Sequence, residues 1–202
     1  MPHPGPSPVD LRLWSQEGTP ADGNWEVAPD GGAVTQTINA GPTFFVSPDE
    51  HLNTTLRVRM RVDGPVADGF VGFVLGYQAP LGALGHDPSQ TDIVLLDWKE
   101  ATDTLGGPSA VEGWTLSRVH GVVTDPAPTL RAHEPGPLLD VLGKKRGEGT
   151  GWTHERDYRI AISYRTSRIR VTVDDALVLE AAGTFPAGHI GFSSYSRAAV
   201  RF

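Results

Sequence analysis

The chain has 202 residues with a formal net charge of −7, and 39% of its residues are hydrophobic. That length suits one domain with a real core, and the acidic balance argues against a dominant nucleic-acid surface. It contains no cysteine, which excludes disulfides, thiolate metal sites and a cysteine nucleophile. No apolar run approaches the roughly 18 residues that a membrane-spanning helix needs.

The N-terminal run "MPHPGPSPVD" carries four prolines in its first eight residues. It has neither the basic nor the apolar region of a signal peptide. Residues 1–8 are expected to form an extended arm that cannot join a central strand, followed by one domain over residues 9–202. From there almost every periodic segment has period two. In "LNTTLRVRMRVDG", Leu56, Val58, Met60 and Val62 share one face, and Arg57, Arg59 and Arg61 share the other. "DGFVGFVLGYQ" (68–78) and "DIVLLDWKEA" (92–101) read as strands with oddities: Gly72 and Gly76 in the first, Asp97 inside an apolar run in the second. The loop between them, "APLGALGHDPSQT", includes His86 and Asp87 and is long enough to be a contact surface. "GPLLDVLGKK" is open to a short helix or a short strand. "GKKRGEGTG" reads as a mobile basic loop. "DYRIAISYR" places Tyr158, Ile160, Ile162 and Tyr164 inward, and "SRIRVTVDDALVLEA" reads as a hairpin around Asp174–Asp175. "GHIGFSSYSRAAVRF" ends the chain as one bent strand or two short ones. Roughly nine strands, turn signals and no crossover helices predict an all-β fold: a single antiparallel β-sandwich of the jelly-roll type.

No nucleophile elbow, zinc-protease motif or phosphate loop is present, and the seven histidines show no ligand spacing. Glycosidases on sandwich folds need two carboxylates roughly 5 to 9 Å apart. Asp97 has Leu95 and Lys99 at spacing two and no acid on its face, which disfavours a carbohydrate-active enzyme. Arginine outnumbers lysine 14 to 3. The comb Arg57, Arg59, Arg61 is therefore either a solvated outer face or an interface with an anionic or protein partner. Of the five tryptophans, Trp152 follows the glycine-rich turn and is the candidate for an exposed, sugar-stacking ring.

Taken in order from residue 24 to 202, six segments resemble the C-terminal, concanavalin-like domain of thrombospondins and its bacterial relatives. They are "NWEVAPDGGAVTQTINAGPTFFVSP", "DGFVGFVLGYQ", "IVLLDWKEA", "EGWTLSRVHG", the stretch from "GWTHERDYRIAISYR" to "LVLEAAG", and "AGHIGFSSYS". The resemblance implies that the 68–78 and 92–101 strands are neighbours, that the glycines permit close packing, and that Asp97 is a buried acceptor held by main-chain amides or a cation. It also implies calcium at the acidic turn "VDGPVADGF", with Asp63 and Asp68 as the ligands, although the family's run of adjacent acids is thinned here. Calcium needs six to eight oxygens. The function this implies is a non-enzymatic recognition or adhesion module at an extracellular or particle surface, facing a glycan or another protein. The alternative is a structural subunit decorating a viral particle. In either case the arm could bind a further copy or a particle.

Overall fold

The computed structural model describes residues 8–64, 69–78, 92–104, 108–121, 123 and 127–202. The described strands are β1 (Ser15–Gly18), β2 (Trp25–Val27), β3 (Val34–Gln36), β4 (Thr43–His51), β5 (Thr54–Val62), β6 (Phe70–Tyr77), β7 (Asp92–Lys99), β8 (Gly113–His120), β9 (Leu139–Arg146), β10 (Tyr158–Arg165), β11 (Arg168–Val173), β12 (Ala176–Ala182), β13 (Gly188–Tyr195) and β14 (Val200–Arg201). They form two seven-stranded sheets. The front sheet runs β1-β4-β13-β6-β7-β8-β9 and the back sheet β12-β11-β10-β5-β14-β3-β2. Every described pairing is antiparallel. The expected β-sandwich is the observed fold.

The core lies between the sheets. Phe73, Leu75, Val94, Leu96, Trp98 and Leu116 of the front sheet meet Met60, Val62, Ile160, Ile162, Ile169 and Val171 of the back sheet. The front sheet is also buried on its outer face. Val46, Val74, Ile93, Leu95, Val119 and Leu139 form a second cluster there, joined by Leu130 from the short π-helical segment Ala127–Arg131. All eight residues of β6 are buried as a result, and seven of eight in β7. Burial on both faces removes the need for polar residues to alternate, which is why these two strands read as continuous apolar runs. The back sheet keeps a wet outer face and keeps its alternation.

Three local readings need correction or resolution. "GPLLDVLGKK" enters strand β9 at Leu139, and β9 pairs with β8 through Arg146. The basic segment is thus half strand, and only Gly147–Thr150 is a turn, closed by Thr150 Oγ1 donating to Gly147 O at 2.6 Å. The chain end is two strands, β13 and β14, and the register of β13 shifts between His189 and Gly191, by two residues against β4 and one against β6. The hairpin at Asp174–Asp175 is as expected: both residues take positive φ, 49° and 68°, the conformation that a two-residue hairpin turn requires.

Gly72 lies directly opposite Asp97 in the β6–β7 register. A methyl group there would come within 2.0 Å of Leu96 O, a backbone atom that cannot step aside. Gly72→Ala is therefore expected to destabilise the fold by about 1–3 kcal/mol, as overpacking in a filled core does. Denaturant unfolding of the variant measures this, and an unchanged midpoint would contradict the close approach.

Candidate functional site

A row of residues crosses the front sheet through Ser193 on β13, Gly72 on β6, Asp97 on β7 and Thr115 on β8. Strands in a sheet are about 4.8 Å apart, so β13 and β7 stand about 9.6 Å apart. Gly72 has no side chain, and over the gap it leaves Ser193 Oγ reaches Asp97 Oδ1 at 3.4 Å. Asp97 Oδ2 contacts His133 Nε2 at 3.0 Å. Asp97 and His133 are both 4% exposed. His133 has φ of 51°, a left-handed conformation uncommon outside glycine, and it places the imidazole over the sheet. Asp97 is buried, and where main-chain amides or a cation were expected its partners are the His133 imidazole and the Ser193 hydroxyl.

The neighbouring row, one pleat along, runs from Tyr195 through Phe70 and Lys99 to Gly113 and Arg146. The Lys99 ammonium lies 2.7 Å from Asp103 Oδ2 and 5.4 Å from the centre of the Phe70 ring. Arg131 also ion-pairs with Asp103. Phe70 stacks on Tyr195 and meets His133 edge-on. Two cations therefore hold the one carboxylate of Asp103, and all three side chains are largely buried. On β8 the Thr115 hydroxyl accepts a 2.6 Å hydrogen bond from Arg146 Nε. Arg146 Nη2 and, two residues along β8 from Thr115, Ser117 Oγ are buried without a hydrogen-bond partner. Burial lowers the Arg146 guanidinium below its ordinary value, and the Asp97 charge opposes this.

Trp152 is not an exposed platform. It is 1% exposed, its indole Nε1 donates to Trp98 O at 3.1 Å, and Trp98 Nε1 donates to Thr150 O at 2.8 Å. Trp98 itself stacks on Trp114 at 4.2 Å between ring centres. The glycine-rich turn places Trp152 inside because each indole N–H finds a carbonyl on the other's segment. Behind it sits a cluster that the sequence did not announce. Arg197, 1% exposed, lies over the Trp152 ring at 5.1 Å and donates to Asp63 O at 2.7 Å. His154 Nε2 lies 3.0 Å from Glu100 Oε1 without hydrogen-bond geometry.

This cluster bears on calcium. Asp63 Oδ1 is bonded to Arg61 Nε at 2.7 Å, and its carbonyl already accepts from Arg197. Two guanidinium groups on one residue oppose a divalent cation, so the described part of the turn does not fit the expected site. Asp68 lies outside the described residues, as do His86 and Asp87. Among the described residues no group of three or more acidic or histidine side chains could hold a metal.

The arginine comb is outward as expected. Arg61 pairs with Asp63 and, at 3.6 Å, with Asp157. Arg159, Arg168 and Arg170 reach Asp174, Asp175 and Glu180. Exposed pairs of this kind contribute about 0–1 kcal/mol each. Among the described residues Arg57 and Arg59 have no ion pair, and Arg59 lies opposite Arg159 in register. They carry net positive charge to that face.

No family profile matches the chain. Thrombospondin-2 of Bos taurus is 25% identical over 91% of this chain, and thrombospondin-1 of Xenopus laevis is 26% identical over 96%. The chain spans 16–17% of the length of those proteins. Among solved structures, the carbohydrate-binding module CBM66 from Bacillus subtilis superposes with a TM-score of 0.58 at 13% identity, covering 94% of this chain and 90% of that one. A glycoside hydrolase family 16 endo-glucanase from Bacteroides ovatus gives 0.57 at 6% identity, covering 95% and 86%. The exoplasmic/lumenal domain of VIP36, in a Ca2+/Man-bound form, gives 0.56 at 13%, covering 94% and 81%. These likenesses support the fold alone, a concanavalin-like jelly roll found in binding modules and hydrolases alike.

Two outcomes follow from the site. Asp97→Ala and His133→Ala should each cost about 1–3 kcal/mol, because each leaves a buried polar partner unmet. The double variant should cost less than the sum, which a double-mutant cycle by denaturant melts would measure. Melting curves in millimolar calcium and in chelator should coincide, because Arg61 and Arg197 already occupy Asp63. A calcium-dependent rise in Tm that Asp68→Asn removes would restore the metal.

Proposed function

We propose that this domain is a non-enzymatic, lectin-like recognition module that works in an extracellular setting or on a particle surface. Its ligand is a glycan, taken at the Arg146 edge of the front sheet's outer face. The observation that carries this reading is the contrast between two neighbours. Both oxygens of Asp97 are engaged, by His133 and Ser193, whereas Arg146 Nη2 keeps a donor without an internal partner beside it. Arg146 as a whole is half-buried, so the side chain reaches the rim of this face while Nη2 itself is buried and unmet, a donor that a ligand entering at the rim would satisfy. A planar guanidinium with an unspent N–H suits sugar hydroxyls or a carboxylated sugar. The glycosidase alternative needs a free acid and a free base or nucleophile. Here Asp97 has no acid at spacing two on β7, and Asp103 is held between Lys99 and Arg131. The carbohydrate-binding module and the mannose-bound domain that share the fold support a sugar ligand, and the endo-glucanase that shares it makes hydrolysis the reading to exclude.

The test is a binding titration against mannan, β-glucan, fructan and an acidic polysaccharide, with reducing ends measured in parallel. At least one polymer should bind with no release of reducing ends. Arg146→Ala should weaken binding by about tenfold or more, the loss of one well-placed charged hydrogen bond. Turnover that disappears in Asp97→Asn would overturn the reading, and so would binding that ignores Arg146→Ala.

A further inference from the structure

The back sheet has an opening. Strand β5 is paired along Thr54–Met60 with β10 on one side. On its other side β14 pairs only with Arg61 and Val62, and Phe202, the next residue, exchanges its backbone hydrogen bonds with Val34 on the β3 side. Among the described residues no strand pairs with Thr54–Met60 on that side. A cavity of about 590 Å³ lies there, bounded by Leu56, Val58, Phe192, Phe202, Pro8 and Val9. The opening is visible in burial as well. Ile160 and Ile162 are 2% and 1% exposed, yet their direct cross-strand partners Val58 and Leu56 are only half-buried. Met60 and Val62, at the covered end of the same face, are fully buried. The inward face of β5 is therefore less well covered at Leu56 and Val58, which pack only partly against the core, than at Met60 and Val62.

We propose that the N-terminal arm of the same chain is the missing strand: residues 2–8 add to the free edge of β5 and close this cavity. Three observations meet here. First, the arm enters at the right place, because Pro8 and Val9 already line the cavity. Second, the lengths match. Residues 2–8 supply seven positions, and the uncovered run Thr54–Met60 offers seven. At about 3.3 Å per residue both span about 23 Å. Third, prolines occupy every second position, 2, 4, 6 and 8. In a strand alternate residues turn their N–H groups to opposite edges, and side chains alternate between faces with the same period. His3, Gly5 and Ser7 then donate to β5, while the prolines, which have no N–H, form the outer edge. An edge of prolines cannot recruit a further strand. Pro8 faces the cavity, so the same period puts the rings of Pro2, Pro4 and Pro6 over Leu56 and Val58, and His3, Gly5 and Ser7 toward solvent. The sequence expectation that the arm cannot join a central strand holds for β5 flanked on both sides by full strands, but not for an added edge of this parity.

Hydrogen exchange of the intact 202-residue chain tests this. The amides of Thr54–Met60 that face away from β10 should be protected. The triple variant His3→Pro, Gly5→Pro, Ser7→Pro removes the inward donors and leaves residues 8–202 untouched. It should speed their exchange by about tenfold or more, with exchange in β6 and β7 unchanged. The parity control Pro4→Ala, Pro6→Ala should keep the protection. A synthetic peptide of residues 1–9, added in excess to a chain lacking residues 1–7, should restore it. Equal exchange in the intact chain and the triple variant would overturn the proposal. Protection that rises with protein concentration together with a dimer mass would assign the arm to a second copy, and would overturn it equally.

Discussion

The constraint on which the rest depends is the β6–β7 register that sets Gly72 against Asp97. It fixes which residues of the two most buried strands face the core and which face out, because a slip of one residue would exchange the faces. With Gly72 at that point, three strands act as one surface: Ser193 on β13 and Asp97 on β7 bond across a strand that contributes no side chain. His133 then closes over the pair, and Leu130 beside it seals the apolar remainder of the outer face. A shift of β7 by one position would point Asp97 into the Trp98–Trp114 layer, where nothing could accept its charge. The polar triad therefore specifies the pairing of the front sheet as much as the apolar core stabilises it.

The two sheets answer the same demand in different ways. The front sheet hides its outer face with a second apolar cluster and satisfies the polar groups it buries there, Asp103 by ion pairs with Lys99 and Arg131, Asp97 by contacts with His133 and Ser193. The back sheet leaves its outer face to solvent and covers it with arginines and acids at register positions, so exposed ion pairs and not burial keep it compatible with water. On the proposed reading that division sets where the ligand sits: the charged centre of this face is internally satisfied, and the unmet donor lies at its margin, at Arg146.

The sequence made the fold legible where one face is wet. β5, β10, β11 and β12 alternate cleanly, and the Asp174–Asp175 turn marks itself by residue type. It was less legible where both faces are buried. β6 and β7 could be read as strands, but no periodicity says which side of Asp97 is inside. Trp152 misled because a tryptophan after Gly147–Gly151 reads as exposed, when the turn exists to deliver its indole to Trp98 O. His133, Arg146 and Arg197 left no trace. They are lone residues in polar stretches, and their roles come from contacts 36, 31 and 134 residues away along the chain. Asp63 was named only through the resemblance, which carries no information about the arginine two residues back that holds its carboxylate.

Leu56 and Val58 carry the last step. Strand alternation is a statement about a finished surface: an apolar residue at an inward position implies something on top of it. For Met60 and Val62, as for Ile160 and Ile162, that something is the opposing sheet. Leu56 and Val58 obey the same pattern and have the same neighbours on the β10 side, yet they stay half-exposed at the rim of a cavity. Two large aliphatic side chains that are only partly covered beside an unpaired strand edge make an aggregation-prone edge. The same chain holds a seven-residue segment whose proline period is that of a strand and whose stem already lies at the rim. The pattern in β5 and the pattern in the arm are each odd alone. Together they describe the two halves of one edge.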